Sequence, residues 1–267
     1  MSTISILSQQ IDDTHGNYCV RFGDRVSYLT ISTNVFDEDA MCRPYLLIPQ
    51  LPKLPEDAWI RMETTCSSAD APLHVITTND PLPEVGETWL EQKIDVLSLE
   101  QTKHYHAYVD EVVYDGRPAA IKIAAFDYLI PSMERETWGY KVLDRYQRRH
   151  PSEPPIAPRV LGHLTECGRV IGILLERLEG DFASVEDLPE CANVLRRLYK
   201  IGLVHGDVSR FNFIVDRQSR KAKLVDFEHL TALDVDEAAA GLELESLVSE
   251  LTEETGRGWL RVLIQAP

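Results

Sequence analysis

His205-Gly206-Asp207-Val208-Ser209-Arg210-Phe211-Asn212, then Phe213-Ile214-Val215, Ala222-Lys223-Leu224-Val225 and Asp226-Phe227-Glu228, is the stretch on which the fold turns. An aspartate on a short loop can accept a proton from an attacking hydroxyl. An asparagine five residues on can return as a Mg²⁺ ligand, and a second aspartate at the end of a following apolar strand can bridge that metal to phosphates. The intervening residues fit this use. Phe213–Val215 reads as a strand, Arg217-Gln218-Ser219-Arg220 as a turn and Ala222–Val225 as the return strand, so a hairpin brings Asn212 and Asp226 to one end. A polar hairpin whose Asp and Asn merely cap turns explains neither the spacing nor the flanking strands.

Upstream, Ile94–Leu99, His104–Tyr114 and Ala119–Ala124 read as a three-stranded antiparallel meander, with Asp115-Gly116 as a hairpin turn. Met133–Arg148 reads as a helix of good formers. Val160–Glu166 and Val170–Leu175 form a second hairpin about Gly168, and Leu188–Tyr199 is helical with Pro189 in its first turn. Val235–Glu254 reads as one or two acidic helices. Residues 1–90 are β-rich and loop-rich. Asn17–Phe22 and Val26–Ile31 flank Gly23-Asp24 as strands, Val75–Thr78 is another, and Pro44–Trp59, with four prolines, reads as irregular.

At the catalytic loop the chain resembles the protein-kinase-like superfamily. The likeness is closer to its aminoglycoside- and choline-kinase-like branches, which use His-Gly-Asp or His-Asn-Asp with Asp-Phe-Glu, than to protein kinases with His-Arg-Asp and Asp-Phe-Gly. Ile156–Glu176, reading IAPRVLGHLTECGRVIGILLE, is similar to a group of fungal kinase-like proteins. The resemblance spans residues 90–250. It implies an α+β, two-lobed protein-kinase-like fold: an N-lobe at 91–178 with a five-stranded antiparallel sheet plus one helix, and a short, mainly helical C-lobe at 179–267, preceded by a β/loop-rich extension at 1–90.

The resemblance also implies roles. Lys122, a lysine in an otherwise apolar strand and costly to bury unpaired, takes the place of the lysine that contacts the α/β-phosphates of ATP; an outward-facing strand lysine is the plainer reading. Glu136, one turn before Tyr140 on the expected core side of the helix, is its carboxylate partner, with Glu134 as competitor. Leu174–Leu178 matches the hinge: Leu175 lies behind the adenine, and backbone groups of Glu176 and Leu178 bond the base edge. Asp207 orients or deprotonates the acceptor hydroxyl, and Asn212 and Asp226 are the Mg²⁺ ligands, hard oxygen donors suited to that ion. His205 packs the loop. Arg210 either touches the γ-phosphate or acceptor, or is a solvated loop arginine.

Three departures matter. No glycine-rich motif precedes Lys122; Ser98–Lys103 has no glycine to bring backbone amides close to phosphate, with Gln101, Thr102 and Lys103 as weak substitutes. Glu228 replaces the glycine that permits a backbone flip. About forty residues follow Glu228, too few for a peptide-binding platform, which favours a small hydroxyl acceptor over a protein. Two readings stand beside γ-phosphate transfer: a non-catalytic kinase-like module that binds a partner, through residues 1–90, and transfer of AMP. His104 and His106 share a strand face; with no third ligand evident, exposed strand histidines are the favoured reading and a metal pair the lesser one.

Composition excludes other classes. The net charge of −16, from 27 basic and 43 acidic residues, argues against a nucleic-acid or anionic-membrane binder. Hydrophobic content of 44% over 267 residues is ordinary for a globular protein of one large domain or two lobes. Five cysteines without a Cys-x-x-Cys pair read as free thiols in a reducing compartment. MSTISILSQQIDD has no signal-peptide pattern, and no apolar run reaches the ~18 residues of a membrane helix. A cytoplasmic or nuclear protein is the expectation.

Overall fold

Two-residue turns in the left-handed region set three hairpins. Asp115 (φ 49°) and Gly116 (φ 72°) join one pair of strands, Cys167 (φ 50°) and Gly168 (φ 88°) another, and Gly23 (φ 60°) opens the Gly23-Asp24 turn of a third. A computed structural model of the chain describes residues 4–52, 59–66, 72–106, 108–233 and 238–253. The chain forms two compact units: Met1–Pro83 with Ala125–Asp127, and Glu84–Ala124 with Tyr128–Pro267.

The first unit is a five-stranded sheet in sequential order: β1 (Ile4–Ile11), β2 (His15–Phe22), β3 (Arg25–Ser32), β4 (Arg61–Thr65) and β5 (His74–Thr78). β3 and β4 are parallel, so the chain crosses over between them through α1 (Glu38–Cys42) and α2 (Pro44–Leu47). Tyr18, Val20, Leu29, Ile31, Met41, Leu47, Trp59 and Met62 form its core. The irregular reading of Pro44–Trp59 is corrected at its start. Pro44 opens α2, where a proline at the first helical position loses no hydrogen bond, and Ile48–Gln50 adds a 3₁₀ turn. Residues 53–58 lie outside those described.

The second unit carries a six-stranded sheet, β6 (Lys93–Asp95), β7 (Glu100–His106), β8 (Val109–Tyr114), β9 (Arg117–Ile123), β10 (Val160–Glu166) and β11 (Arg169–Glu176), in the order β6-β10-β11-β9-β8-β7. It is neither five-stranded nor wholly antiparallel, because β6 pairs parallel with β10. The expected strand Ile94–Leu99 breaks at Asp95. Its carboxylate accepts the Leu97 amide at 3.0 Å and starts a 3₁₀ turn over Val96–Ser98. His104–Tyr114 is likewise two strands. The first two strands of the meander are therefore β7 and β8, joined at residues 107–108.

α3 (Ile130–Arg149) packs on this sheet and buries Ile130, Met133, Glu136, Thr137, Gly139, Tyr140 and Leu143, a stripe at helical spacing that contains one carboxylate. The rest of the unit comprises β12 (Asp181–Phe182), α4 (Leu188–Lys200), β13 (Leu203–Val204), β14 (Phe213–Asp216), β15 (Lys221–Leu224), β16 (Thr231–Ala232) and α5 (Ala239–Thr252). It holds two helices and two small sheets, β12-β14-β15 and β13-β16, so "mainly helical" understates its strands. Of the expected Val235–Glu254 helix, residues 235–237 and 254 lie outside those described. Leu195, Leu198, Phe213, Phe227, Leu247 and Leu251 share one core with Tyr140 and Leu143 of α3. No helix among the described residues is long and apolar enough to cross a membrane.

Candidate functional site

Lys122 lies on β9, which the register sets between β8 and β11. Val109, Lys122 and Ile173 are aligned across the three strands, as are Glu111, Ala120 and Leu175, so all six side chains share one face. Close approach of β11 to β9 depends on Gly172, where a Cβ would meet the Lys122 carbonyl oxygen at 2.1 Å. From this face the Lys122 ammonium reaches Glu136 Oε2 at 2.6 Å and Asp226 Oδ1 at 2.5 Å. Glu136 is 1% exposed and Lys122 14%. Burial pushes the Glu136 carboxyl up, opposed by the Lys122 charge. At Lys122 burial acts downward, but the two carboxylates outweigh it and hold the ammonium above its ordinary range.

The choice between the two helix carboxylates is settled by phase. Glu136 falls on the buried stripe of α3. Glu134 faces the other way and accepts the backbone amides of Gly86 (2.8 Å) and Glu87 (3.0 Å).

The catalytic loop runs from β13 to β14. Asn212 donates from Nδ2 to the Asp207 carbonyl at 2.8 Å and to Asp207 Oδ2 at 3.2 Å, and its own carbonyl accepts the Val225 amide at 3.0 Å. Asn212 thus ties the candidate base to the strand end that precedes Asp226. Asp226 adopts φ 66°, a left-handed conformation uncommon for a non-glycine residue and a sign of local strain. Phe227 closes the turn behind it, edge-on to Tyr140 with centroids 5.0 Å apart. Gly139 admits this packing, since a Cβ there would lie 2.6 Å from Leu230 Cδ2.

His205 is a packing residue, as expected. It is fully buried, donates from Nε2 to the Val225 carbonyl at 3.0 Å, and burial lowers its pKa, so the ring stays neutral. Gly206 has φ 83° and no room for a side chain, with the His229 carbonyl oxygen 2.2 Å from where its Cβ would be. Its amide donates to Glu243 Oε1 on α5 at 2.6 Å, and Glu243 Oε2 accepts the Tyr199 hydroxyl at 2.8 Å. The sequence reading missed Glu243, because nothing local marks a glutamate in an acidic helix as the partner of a loop 37 residues away. Arg210 sits half-buried with its guanidinium 5.5 Å from the Phe211 ring.

At the hinge, Leu175 is buried on the Lys122 face. The Glu176 amide donates to the Arg159 carbonyl at 2.9 Å and is therefore already engaged. Leu178 follows, half-buried. A second network was also missed. Glu111 Oε2 accepts from the Tyr105 hydroxyl and from Arg177 Nε, each at 2.7 Å, and Arg177 also pairs with Glu179. It links the β7–β8 end of the sheet to the hinge.

The phosphate-loop position moves. Gln101, Thr102 and Lys103, expected to stand in for a glycine-rich loop, lie inside β7, and Thr102 donates to Glu111 instead. His104 Nδ1 lies 2.6 Å from Asp110 Oδ1, and the His106 side chain lies outside what is described. Among the described residues no three His, Cys, Asp or Glu side chains converge as metal ligands. All five cysteines are free, Cys19 and Cys191 buried.

Lysine, base, asparagine and strand-end aspartate thus stand in one unit. Residues 176–245 match the RIO domain. This domain belongs to the protein-kinase-like superfamily and is a kinase-like domain of atypical kinases and ATPases. The matched span runs from the hinge through the catalytic loop and Asp226 into α5. The match supports the resemblance to the protein-kinase-like superfamily at that level. No curated protein matches the chain.

Proposed function

We propose that this protein is an ATP- and Mg²⁺-dependent phosphotransferase that moves the γ-phosphate to a hydroxyl acceptor, a small molecule in preference to a protein. The carrying observation is the Glu136–Lys122–Asp226 cluster, with distances of 2.6 and 2.5 Å, which joins the sheet to the catalytic hairpin. Asn212 and Asp226 are hard oxygen donors. One amide oxygen and one carboxylate suit Mg²⁺, which keeps waters and takes its remaining ligands from phosphate. When bound, the ion neutralises charge on the phosphates.

The chain's own residues do the rest. Lys122, set by Glu136, holds the α/β-phosphates. The carbonyl of Glu176 and the backbone of Leu178 orient the base against Leu175. Asp207, held by Asn212, accepts the proton of the acceptor hydroxyl. The acceptor oxygen bonds to the γ-phosphorus, the bond to the β–γ bridging oxygen breaks, and ADP leaves with that electron pair.

The test is calorimetric titration of ATP with and without Mg²⁺, beside Asp226→Ala, followed by release of γ-labelled phosphate. Binding that requires both Mg²⁺ and Asp226 supports the reading. No binding at millimolar ATP overturns it, and favours a second reading: a non-catalytic module that meets a protein partner through residues 1–90. The lack of a glycine-rich motif before Lys122 motivates that alternative.

A further inference from the structure

α3 carries Glu136, yet no side chain caps its first turn, which opens at Ile130-Pro131 from a 3₁₀ turn over Asp127–Leu129. Its anchors come from elsewhere. Beyond Lys122 the Ala124 amide still bonds the Ile171 carbonyl of β11 at 2.7 Å, and Ala125–Asp127 then belong to the first unit. Phe126 is buried there, edge-on to Tyr28 of β3 with centroids 6.3 Å apart, and Asp127 pairs with Arg61 of β4. Away from its buried stripe, α3 is gripped by residues 84–92, which continue directly from the first unit at Pro83. Glu134 accepts the amides of Gly86 and Glu87, Lys141 pairs with Glu87, and Asp144 Oδ2 accepts the Trp89 indole N–H at 3.0 Å. The same segment is pinned to the sheet. The Val85 amide donates to the Val170 carbonyl and the His163 amide to the Gln92 carbonyl, each at 2.9 Å.

The chain passes between the two units three times, after residues 83, 124 and 127. The first crossing enters the segment that grips α3, the second leaves the Lys122 strand, and the third leads into α3 itself. We infer that the first unit sets the position of α3, and through it the Glu136–Lys122 pair, with Phe126, Asp127 and Glu134 as positioning residues. Its effect on nucleotide rests on the phosphotransferase reading, and it gives residues 1–83 a part in that site. Glu136 stands near the end of the second turn of a continuous helix, so a displacement at Phe126 is carried to it along the helix axis. A buried carboxylate is costly to separate from its cation, so a shift of α3 changes how Lys122 is held.

Variants of the full chain test this: Phe126→Ala, the charge reversal Arg61→Glu, and the swap Arg61→Glu/Asp127→Arg, with Ile76→Ala on exposed β5 as control. Hydrogen exchange is followed without nucleotide in α3 and in the β14–β15 hairpin, and the affinity for ATP with Mg²⁺ is measured by calorimetry. Phe126→Ala is expected to speed exchange in α3 but not in the hairpin, and to weaken ATP binding about fivefold or more, the lower end of usual coupling between sites. Arg61→Glu should do the same to a smaller degree, the swap should restore both readouts, and the control should match the parent. Faster exchange in α3 and hairpin alike marks a general stability role and overturns the inference. So does α3 exchange equal to the parent's, a swap that restores neither readout, or unchanged ATP affinity where the parent binds it. A parent that binds no ATP, while α3 exchange responds and the swap restores it, instead overturns the phosphotransferase reading and leaves the positioning of Glu136 standing.

Discussion

Lys122 is the residue with most at stake. It neutralises a glutamate that has almost no access to water, and removing one partner of a buried pair commonly costs about 3–5 kcal/mol because the other charge is stranded. Lys122→Met is expected to lose stability on that scale in urea titrations, and adding Glu136→Gln should return most of it. A Lys122→Met protein as stable as the parent would show that Glu136 is not confined by this pair. Asp207 carries a different expectation. Its Asn variant should lose about 10²–10⁴-fold in turnover, the usual contribution of a general base, while ATP affinity stays constant. Unchanged turnover would remove the base assignment. Both residues stood out in the sequence because a lysine in an apolar strand and an aspartate in a spaced motif are local signals. Glu136 needed the phase of its helix as well.

Elements are fixed to one another by close approaches that only glycine permits and by buried hydrogen bonds. At Gly172 a methyl group would push β11 away from β9 at Lys122 itself. Gly172→Ala should cost about 1–3 kcal/mol by overpacking and weaken ATP binding together with stability. An unchanged melting temperature would contradict the register. The segment before β6 is held on β10 by His163, whose Nε2 accepts the amides of Trp89 (3.2 Å) and Leu90 (3.4 Å) and must be unprotonated to do so. Burial, with Lys93 and Lys141 adding to it, lowers this imidazole to about 4 from its ordinary 6.5. Between those values the unfolded chain binds the proton more readily. The stability that neutral His163 contributes is therefore complete above about 6.5 and is lost as pH falls toward 4. Denaturant midpoints measured across that window should fall, and His163→Gln, which presents an acceptor without titrating, should flatten the slope. None of this was legible beforehand. The sequence shows a histidine in an apolar strand, not the two amides from a segment more than seventy residues away that it receives.

At the scale of the molecule, binding must appear as stability. If Mg²⁺ and ATP bind the folded chain, ATP at a hundred times its Kd should add about 2.7 kcal/mol, a rise of roughly 5–11 °C in Tm for a chain of this size. Asp226→Ala should abolish the rise, and a rise that persists in that variant would place the nucleotide elsewhere. What the sequence by itself determined was whatever is written in neighbouring residues: the β14–β15 hairpin, the Asp115-Gly116 turn and the hairpin about Gly168, the helices α3 and α4, and the ordered set Lys122, Asp207, Asn212 and Asp226. Periodicity and turn chemistry act over a few residues, so they can be read without a fold. Only the tertiary structure decided that β6 joins the sheet in parallel, that Glu243 holds Gly206, and that carboxylates from α5 line the wall beside Asp207. Each of these depends on which distant segments meet. A carboxylate looks the same in sequence whether it faces water, a lysine or a backbone amide, and only the packing of the chain assigns it one of them.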